Sequence, residues 1–325
     1  MQDLQSSSKN CFNVVGTINL WNLGLEGIDV LVECDSEKKL QYIENLCYQH
    51  PYTSYRARCF GDINGLLVQF NMPIGHSNFI SELFSHLKTN KQIDNFSLLP
   101  FQKSSPIFTT PNVDFWNPNT YQWTFDWEDW FTYNIKPQKR KKSHGEPGTA
   151  KKWLTKSHLA IISELGVNAR RKNIDIIKKL KKDGFDFTPQ TFSRYLKKVK
   201  NNCIKNYRVF LKPTVFDLYS TVLIWGEADK KVVKDLEVRL LSLTFPFSST
   251  FKTNQENLFW YLHLPPSHLS NLLFTLRKKL TDMHFNFIDY NRAQSYFLWP
   301  QTFDEEKQDW IVNEDFLLNN VVKNL

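Results

Sequence analysis

The chain has 325 residues, of which 41% are hydrophobic and 15% aromatic, and its net charge is +8. This length is enough for two or three domains with their own cores. The five cysteines form no C-x-x-C pair, which argues against a disulfide scaffold and a zinc ribbon. The polar start lacks the features of a signal peptide, and no apolar run approaches the roughly 20 residues of a membrane span. We therefore expect a soluble, cytoplasmic protein without a membrane partner.

The positive charge is concentrated in the middle of the chain. Residues 136–205 carry 20 Lys/Arg and 5 Asp/Glu, a net charge of +15, whereas residues 1–135 carry −6 and residues 206–325 carry −1. A generally basic protein would not show this distribution. An anionic partner is therefore expected at the middle block.

Residues 11–101 alternate between strand and helix patterns. Strands place apolar residues at every second position, and helices place them three and four apart. The patterns predict, in chain order, a strand at 27–34, a helix at 36–49, strands at 52–60 and 66–72, a helix at 77–88 and a strand at 93–101. This βαββαβ order predicts a ferredoxin-like domain.

Residues 212–300 repeat the order. The predicted elements are a strand at 219–228, a helix at 231–243, strands at 247–253 and 257–265, a helix at 267–280 and a strand at 285–291. A proline precedes the second strand of each block (Pro51 and Pro246), and a Pro-x-x-His leads into each second helix. We interpret the two blocks as a duplicated domain.

The connector between the first block and the basic middle, residues 102–153, has two parts. Its first part carries four tryptophans: Trp116, Trp123, Trp127 and Trp130. We expect these rings to pack on a neighbouring domain, because the acidic residues around them would repel nucleic-acid phosphates. Its second part, residues 136–153, is basic and contains Pro and Gly, which predicts a flexible linker.

The basic middle contains three short amphipathic helices, predicted at 157–166, 173–184 and 189–200. Thr188 is a suitable N-cap for the third helix, and Pro189 suits its first turn. Phe192 and Val199 belong to its apolar face, and the opposite face is basic. A strand at 204–211 follows. This order predicts a winged helix-turn-helix over residues 154–211.

A basic helix of this kind suits the major groove of DNA, where side chains reach base edges and lysines neutralise phosphates. We therefore predict a sequence-specific transcription regulator that binds double-stranded DNA. The residues predicted to contact base edges are Gln190, Thr191 and Arg194. The residues predicted to contact phosphates are Lys197, Lys198, Arg170, Arg171 and Lys172.

Three stretches carry a resemblance to a known family. "IISELGVNARRKNIDIIKKLK" (161–181) resembles the first two helices of the Lrp/AsnC, or feast/famine, transcription regulators. "TPQTFSRYLKKVKNNCIKNYRVFLKP" (188–213) resembles the family's recognition helix and the strand after it. "CFGDINGLLVQF" (59–70) resembles the hairpin that carries its glycine-aspartate signature, although it lies here in the first block. The corresponding hairpin in residues 212–300, "FKTNQENLFWYLHL", departs from the family because it lacks a glycine.

The resemblance implies an α+β fold in which two ferredoxin-like, effector-type (RAM-like) domains flank a central winged helix-turn-helix. It also implies a small-molecule effector such as an amino acid, and dimerisation through the sheets. The sheets could pair between two chains as a homodimer or within one chain as a pseudo-dimer. The expected domains are 11–101, 102–153, 154–211 and 212–300, with a C-terminal tail at 301–325.

Catalysis is not expected from the sequence. The eight histidines show no metal-ligand spacing, and the chain has no G-x-S-x-G and, with 11 glycines, no phosphate-binding loop. The sequence thus predicts neither an enzyme nor a cofactor. One alternative stays open, a module that senses an effector or docks a partner protein through its basic helix.

Overall fold

The computed structural model describes residues 12–99, 101, 106–135, 146–211, 219–319 and 321. Its first half contains a ferredoxin-like domain that a short strand and a one-turn helix precede. These elements are β1 (Phe12–Ile18), α1 (Leu20–Leu23), β2 (Leu25–Glu33), α2 (Glu37–Gln49), β3 (Thr53–Gly61), β4 (Gly65–Pro73), α3 (Asn78–Thr89) and β5 (Asn95–Leu99). Ser36 caps α2, because its Oγ accepts a hydrogen bond from the Lys39 N–H at 3.4 Å.

A central region follows, with a connecting arm and the three predicted helices. The arm provides β6 (Ile107–Thr109), β7 (Trp116–Asn117), β8 (Gln122–Trp123) and α4 (Trp127–Thr132). The three-helix unit and its strand are α5 (Lys156–Asn168), α6 (Asn173–Lys182), α7 (Pro189–Asn202) and β9 (Ile204–Leu211). The Oγ1 of Thr188 accepts a hydrogen bond from the Thr191 N–H at 3.2 Å, so the predicted cap of α7 is present.

The second half repeats the ferredoxin-like order and ends in a short hairpin. Its elements are β10 (Ser220–Ala228), α8 (Lys230–Ser242), β11 (Ser248–Asn254), β12 (Asn257–Leu264), α9 (Pro266–Arg277), β13 (Leu280–Ser295), β14 (Phe303–Asp304) and β15 (Asp309–Trp310). The predicted α+β fold class is thereby confirmed. No helix within the described residues is both long and apolar enough to cross a membrane.

The two ferredoxin-like sheets join edge to edge into one nine-stranded sheet, in the order β5-β2-β4-β3-β13-β10-β12-β11-β6. The junction is the antiparallel pair β3–β13, where Ile288 lies opposite Cys59. The two repeats therefore pair within one chain.

The nine-stranded sheet folds back on itself. β2 and β11 are six positions apart in the sheet, which would separate them by about 29 Å in a flat sheet with roughly 4.8 Å between strands. Yet the Lys252 ammonium on β11 lies 2.7 Å from each carboxylate oxygen of Asp29 on β2. The faces away from the helices must therefore oppose each other. A core that contains Leu31 and Leu67 from the first half and Phe259 from the second fills this inter-sheet space.

A separate two-stranded ribbon joins the start of the first half to the strand that follows the three-helix unit. β1 pairs antiparallel with β9, and Val15 lies opposite Arg208. β9 leads from the three-helix unit into the second half. On this strand the Arg208 guanidinium carbon lies 4.3 Å from the centroid of the Phe108 ring on β6, at the edge of the sheet.

The connecting segments contribute more than the patterns indicate. The rings of Trp127 and Trp130 are buried in the core of the second half, as predicted for the arm, and the arm also adds β6 to the edge of the sheet beside β11. Near the C-terminus, the Trp310 Nε1–H donates to the carbonyl oxygen of Leu23 at 2.7 Å. The predicted division into domains stays a prediction, and these contacts show that the arm and the C-terminal residues enter neighbouring cores.

Two predicted elements differ from the structure. The last strand extends over Leu280–Ser295 rather than 285–291, because its start also pairs with β10 and because it resumes its pairing with β3 after an irregularity between Asp289 and Gln294. The predicted linker is fixed at its end, since the Ala150 N–H donates to the carbonyl oxygen of Asn22 at 2.9 Å. The remaining linker residues, 136–145, lie outside the described residues.

Variants of the Asp29–Lys252 ion pair test whether the sheet folds back on itself. Asp29 is 1% exposed and Lys252 11%, so Lys252→Met leaves a buried carboxylate without its cation. We expect this change to lower the free energy of unfolding by about 3–5 kcal/mol in urea denaturation. The matched double variant Asp29→Leu/Lys252→Met should recover most of this loss, because it removes both charges. Equal losses in the single and double variants would contradict the assignment.

Candidate functional site

The residues predicted to read DNA lie on the surface of the three-helix unit. Gln190, Arg194, Lys197 and Lys198 on α7 are exposed, and Thr191 is half-buried beside its cap. The Lys198 ammonium lies over the Trp153 ring, 4.2 Å from its centroid. These side chains form an open face and do not converge on an enclosed site.

The other predicted phosphate contacts divide into free and paired groups. Arg170 and Lys172 are exposed on the turn after α5. Arg171 instead forms an ion pair with the buried carboxylate of Glu164, which Lys179 also contacts. The Arg171 guanidinium therefore stabilises the three-helix unit.

A different cation lies at the inter-sheet space. Arg208 is on β9, whose neighbouring side chains Tyr207 and Val209 are exposed at 46% and 42%. Alternation along the strand turns Arg208 to the opposite, inner side. Its guanidinium carbon lies 4.3 Å from the centroid of the Phe108 ring. Its Nε is buried and has no hydrogen-bond partner among the described residues.

Desolvation lowers the pKa of the Arg208 guanidinium. A buried cation is costly unless a negative charge pairs with it. Within the described part of the chain, no carboxylate lies within ion-pair distance of Arg208. The site therefore favours an anionic ligand.

His263 lies next to this cation on the inner face of β12. Thr221 is its cross-strand neighbour, and a hydrogen bond of 2.8 Å joins Thr221 Oγ1 to His263 Nδ1. Burial, helped by the positive charge of Arg208, lowers the pKa of His263 to about 4. The imidazole is thus neutral at pH 7, with one nitrogen held by Thr221.

Three tyrosines line the same region. The hydroxyls of Tyr55 and Tyr261 are 2.8 Å apart, so the first half completes a site that lies mainly on the second. The Tyr290 ring lies 5.3 Å from the His263 ring, centroid to centroid. Desolvation raises the pKa of Tyr290 to about 12 and raises the pKa values of Tyr55 and Tyr261.

All three tyrosines are half-buried, and the ring of Tyr261 packs edge-on against the rings of Tyr55 and His263, with centroid distances of 6.2 Å and 5.3 Å. We call this region the cleft and define it by its lining residues: Tyr55, Arg208, Thr221, Tyr261, His263 and Tyr290.

The cleft combines a neutral imidazole and aromatic walls with a cation that has no carboxylate partner in the described part of the chain. A guanidinium binds a carboxylate with two parallel hydrogen bonds, and aromatic rings pack against flat apolar ligands. No group of three or more His, Cys, Asp or Glu among the described residues could hold a metal ion. The chemistry of the cleft therefore suits a flat organic anion with carboxylate groups.

The sequence analysis missed the cleft because its residues come from five strands that are far apart in the chain. Arg208 was assigned to the wing, and His263 has no ligand spacing along the sequence. The available signal was the alternation in β9, where Arg208 points to one side of the strand and its neighbours Tyr207 and Val209 point to the other. Periodicity identifies an inward side chain but not the surface that it faces.

The chain matches no protein-family model, and no curated protein matches it. Solved structures of the siroheme decarboxylase NirDL do match. One is NirDL alone, with a TM-score of 0.53 and 12% identity, covering 99% of this chain and 86% of that one. Another is NirDL in complex with an iron-uroporphyrin III analogue, with a TM-score of 0.52 and 12% identity, covering 96% of this chain and 83% of that one.

At this identity the match shows the fold, and it supports the resemblance to Lrp/AsnC proteins only as a coarse relationship. It also corrects the functional predictions. An arrangement that matches nearly the whole chain belongs to an enzyme whose structure holds an iron-porphyrin analogue, so the step from this architecture to a DNA-binding transcription regulator is wrong. The predictions of double-stranded DNA as partner, of a docking module and of no enzyme are wrong for the same reason.

The depressed pKa of His263 predicts a pH dependence of stability. Its pKa is about 4 in the folded chain, whereas an unfolded histidine titrates near 6.5, so the unfolded state binds the proton first as the pH falls. We expect this group to remove about 2 kcal/mol of stability between pH 7 and pH 4.5. In urea denaturation, His263→Gln should lose less stability than the unmodified chain between pH 7 and pH 4.5, and the difference should be that amount. An unchanged loss would contradict the burial of a neutral imidazole.

Proposed function

We propose that the chain is an enzyme that binds a carboxylated tetrapyrrole in the cleft and removes one of its carboxylate groups. Two matched structures carry the name siroheme decarboxylase, and one holds an iron-uroporphyrin III analogue. The proposal transfers this class of ligand and reaction to the present chain. Its support within the molecule is the Arg208 guanidinium, which lies against an aromatic ring and has no carboxylate partner among the described residues.

Arg208 acts as the anchor of the ligand. Tetrapyrroles of this class carry several carboxylates around a flat macrocycle. A guanidinium that paired with the departing carboxylate would stabilise the substrate more than the transition state, in which that charge is lost. Arg208 therefore binds a carboxylate that stays, and it orients the macrocycle against the aromatic rings beside it.

His263 supplies the proton that the reaction consumes. The bond between the side-chain carbon and its carboxylate breaks, carbon dioxide leaves, and the electron pair stays on the carbon, where the conjugated macrocycle delocalises it. A proton then adds to this carbon, so no oxidant or reductant is needed. Bound carboxylates raise the pKa of a nearby imidazole, which allows His263 to hold that proton. Thr221 fixes the orientation of the ring through Nδ1.

Binding is tested by titrating iron uroporphyrin into the full chain and following its absorbance. Arg208→Met should weaken binding by about 10- to 100-fold, because a hydrogen bond to a charged group contributes roughly 1.5–3 kcal/mol. Arg194→Met is the matched control, since it removes the same charge from an exposed position on α7. Equal affinities of the two variants, or no binding by the unmodified chain, would refute the proposed site.

Turnover is tested with siroheme by following carbon dioxide release and the loss of the carboxylate by mass spectrometry. His263→Gln should keep most of the affinity and lose about 100-fold or more in rate, the usual contribution of a general acid. Its rate should also lose the dependence on pH that the imidazole confers. A variant with the full rate would remove His263 from the mechanism, and an inactive unmodified chain would refute decarboxylation.

A further inference from the structure

We propose that only the second half of the chain binds the ligand, and that the Asp29–Lys252 ion pair closes the corresponding space of the first half. This inference rests on the proposed function and concerns the number and position of its sites. It implies one tetrapyrrole per chain, although the fold contains two copies of the same domain.

The two halves can be compared position by position. On β4 the buried residues that face the helices are Leu66, Val68, Phe70 and Met72, and on β12 they are Leu258, Trp260, Leu262 and Leu264. Aligning these residues places Asn71 where the second half has His263, and Gln69 where it has Tyr261. The first half therefore has no imidazole and no phenol at the two central cleft positions.

The other cleft positions also differ. On β2 the buried residues Ile28 and Val30 align with Val222 and Ile224 on β10. This alignment puts Gly27 at the position that Thr221 has in the second half. The ribbon strand of the first half, β1, reads FNVVGTI and contains no charged residue. The first half thus offers no counterpart of Arg208 or of the Thr221 hydroxyl.

The corresponding space of the first half is filled and electrically neutral. Lys252 crosses from β11 of the second half to Asp29, and the Gln69 amide donates to the Asp29 carboxylate at 2.5 Å. The Lys252 ammonium also lies 5.0 Å from the centroid of the Phe259 ring. A ligand carboxylate would meet the Asp29 carboxylate there and would find a cation that is already paired.

The contrast between Arg208 and Lys252 is therefore decisive. Both cations border the inter-sheet space, but only Lys252 has a carboxylate partner among the described residues. The unpaired one attracts an anion, and the paired one excludes it. Binding is then expected in the second half alone.

The experiment is a stoichiometric titration of the full chain with iron uroporphyrin, at protein concentrations well above the dissociation constant. We expect saturation at one equivalent, with the affinity of this one site about 10- to 100-fold lower in Arg208→Met. Saturation at two equivalents, or one equivalent bound by Arg208→Met with the affinity of the unmodified chain, would overturn this inference and leave tetrapyrrole binding intact. Absence of binding by the unmodified chain would overturn the proposed function and this inference together.

A matched pair of variants tests the assignment of the halves. His263→Ala and Asn71→Ala truncate side chains at corresponding positions of β12 and β4. His263→Ala should weaken iron uroporphyrin binding by about fivefold or more, as expected for loss of a polar contact, and Asn71→Ala should leave the affinity unchanged. Circular dichroism and urea midpoints verify that both variants fold. Equal effects on affinity would overturn the inference.

Discussion

The rest of the molecule depends on one constraint, which the ion pair between Asp29 and Lys252 shows. The nine-stranded sheet folds back, so that the helix-free face of its first half packs against that of its second half. Charges six strands apart in the sheet come within 2.7 Å only in this arrangement. The pair is almost fully buried, so each charge requires the other. The folded-back sheet also creates the cleft, because Tyr55 of the first half and Tyr261 of the second meet across the same space.

Inside that space, the proposed selectivity rests on the balance of charges rather than on shape alone. Electrostatic interactions are stronger where water is excluded, so a buried cation with a partner and one without have opposite effects on an arriving anion. Arg208 lies against the Phe108 ring, and its buried Nε has no hydrogen-bond partner among the residues that the structure describes. By comparison, the many lysines of the three-helix unit are exposed, where water and salt screen their charge.

Much of the fold could be predicted from periodicity. The helices at 37–49 and 230–242 and the three helices of the basic block lie within a few residues of their predicted positions. Each has an apolar face, and all but the helix at 173–182 begin at a side-chain cap. The return of the sheet upon itself could not be predicted, since it depends on contacts between strands more than 200 residues apart, such as Asp29 with Lys252. The site could not be predicted for the same reason. The basic block at 136–205, with a net charge of +15, pointed to DNA binding. The proposed site depends instead on Arg208, which belongs to no cluster of basic residues in the sequence.

The pairing of two similar domains in one polypeptide has a consequence for their evolution. In a homodimer every substitution appears twice, related by the twofold axis, so a residue that improves one copy of a pocket is imposed on the other. Here Lys252 lies opposite Asp29 once and has no mirror image. A covalently joined pair can therefore specialise one copy for chemistry and the other for support, and dilution cannot separate them.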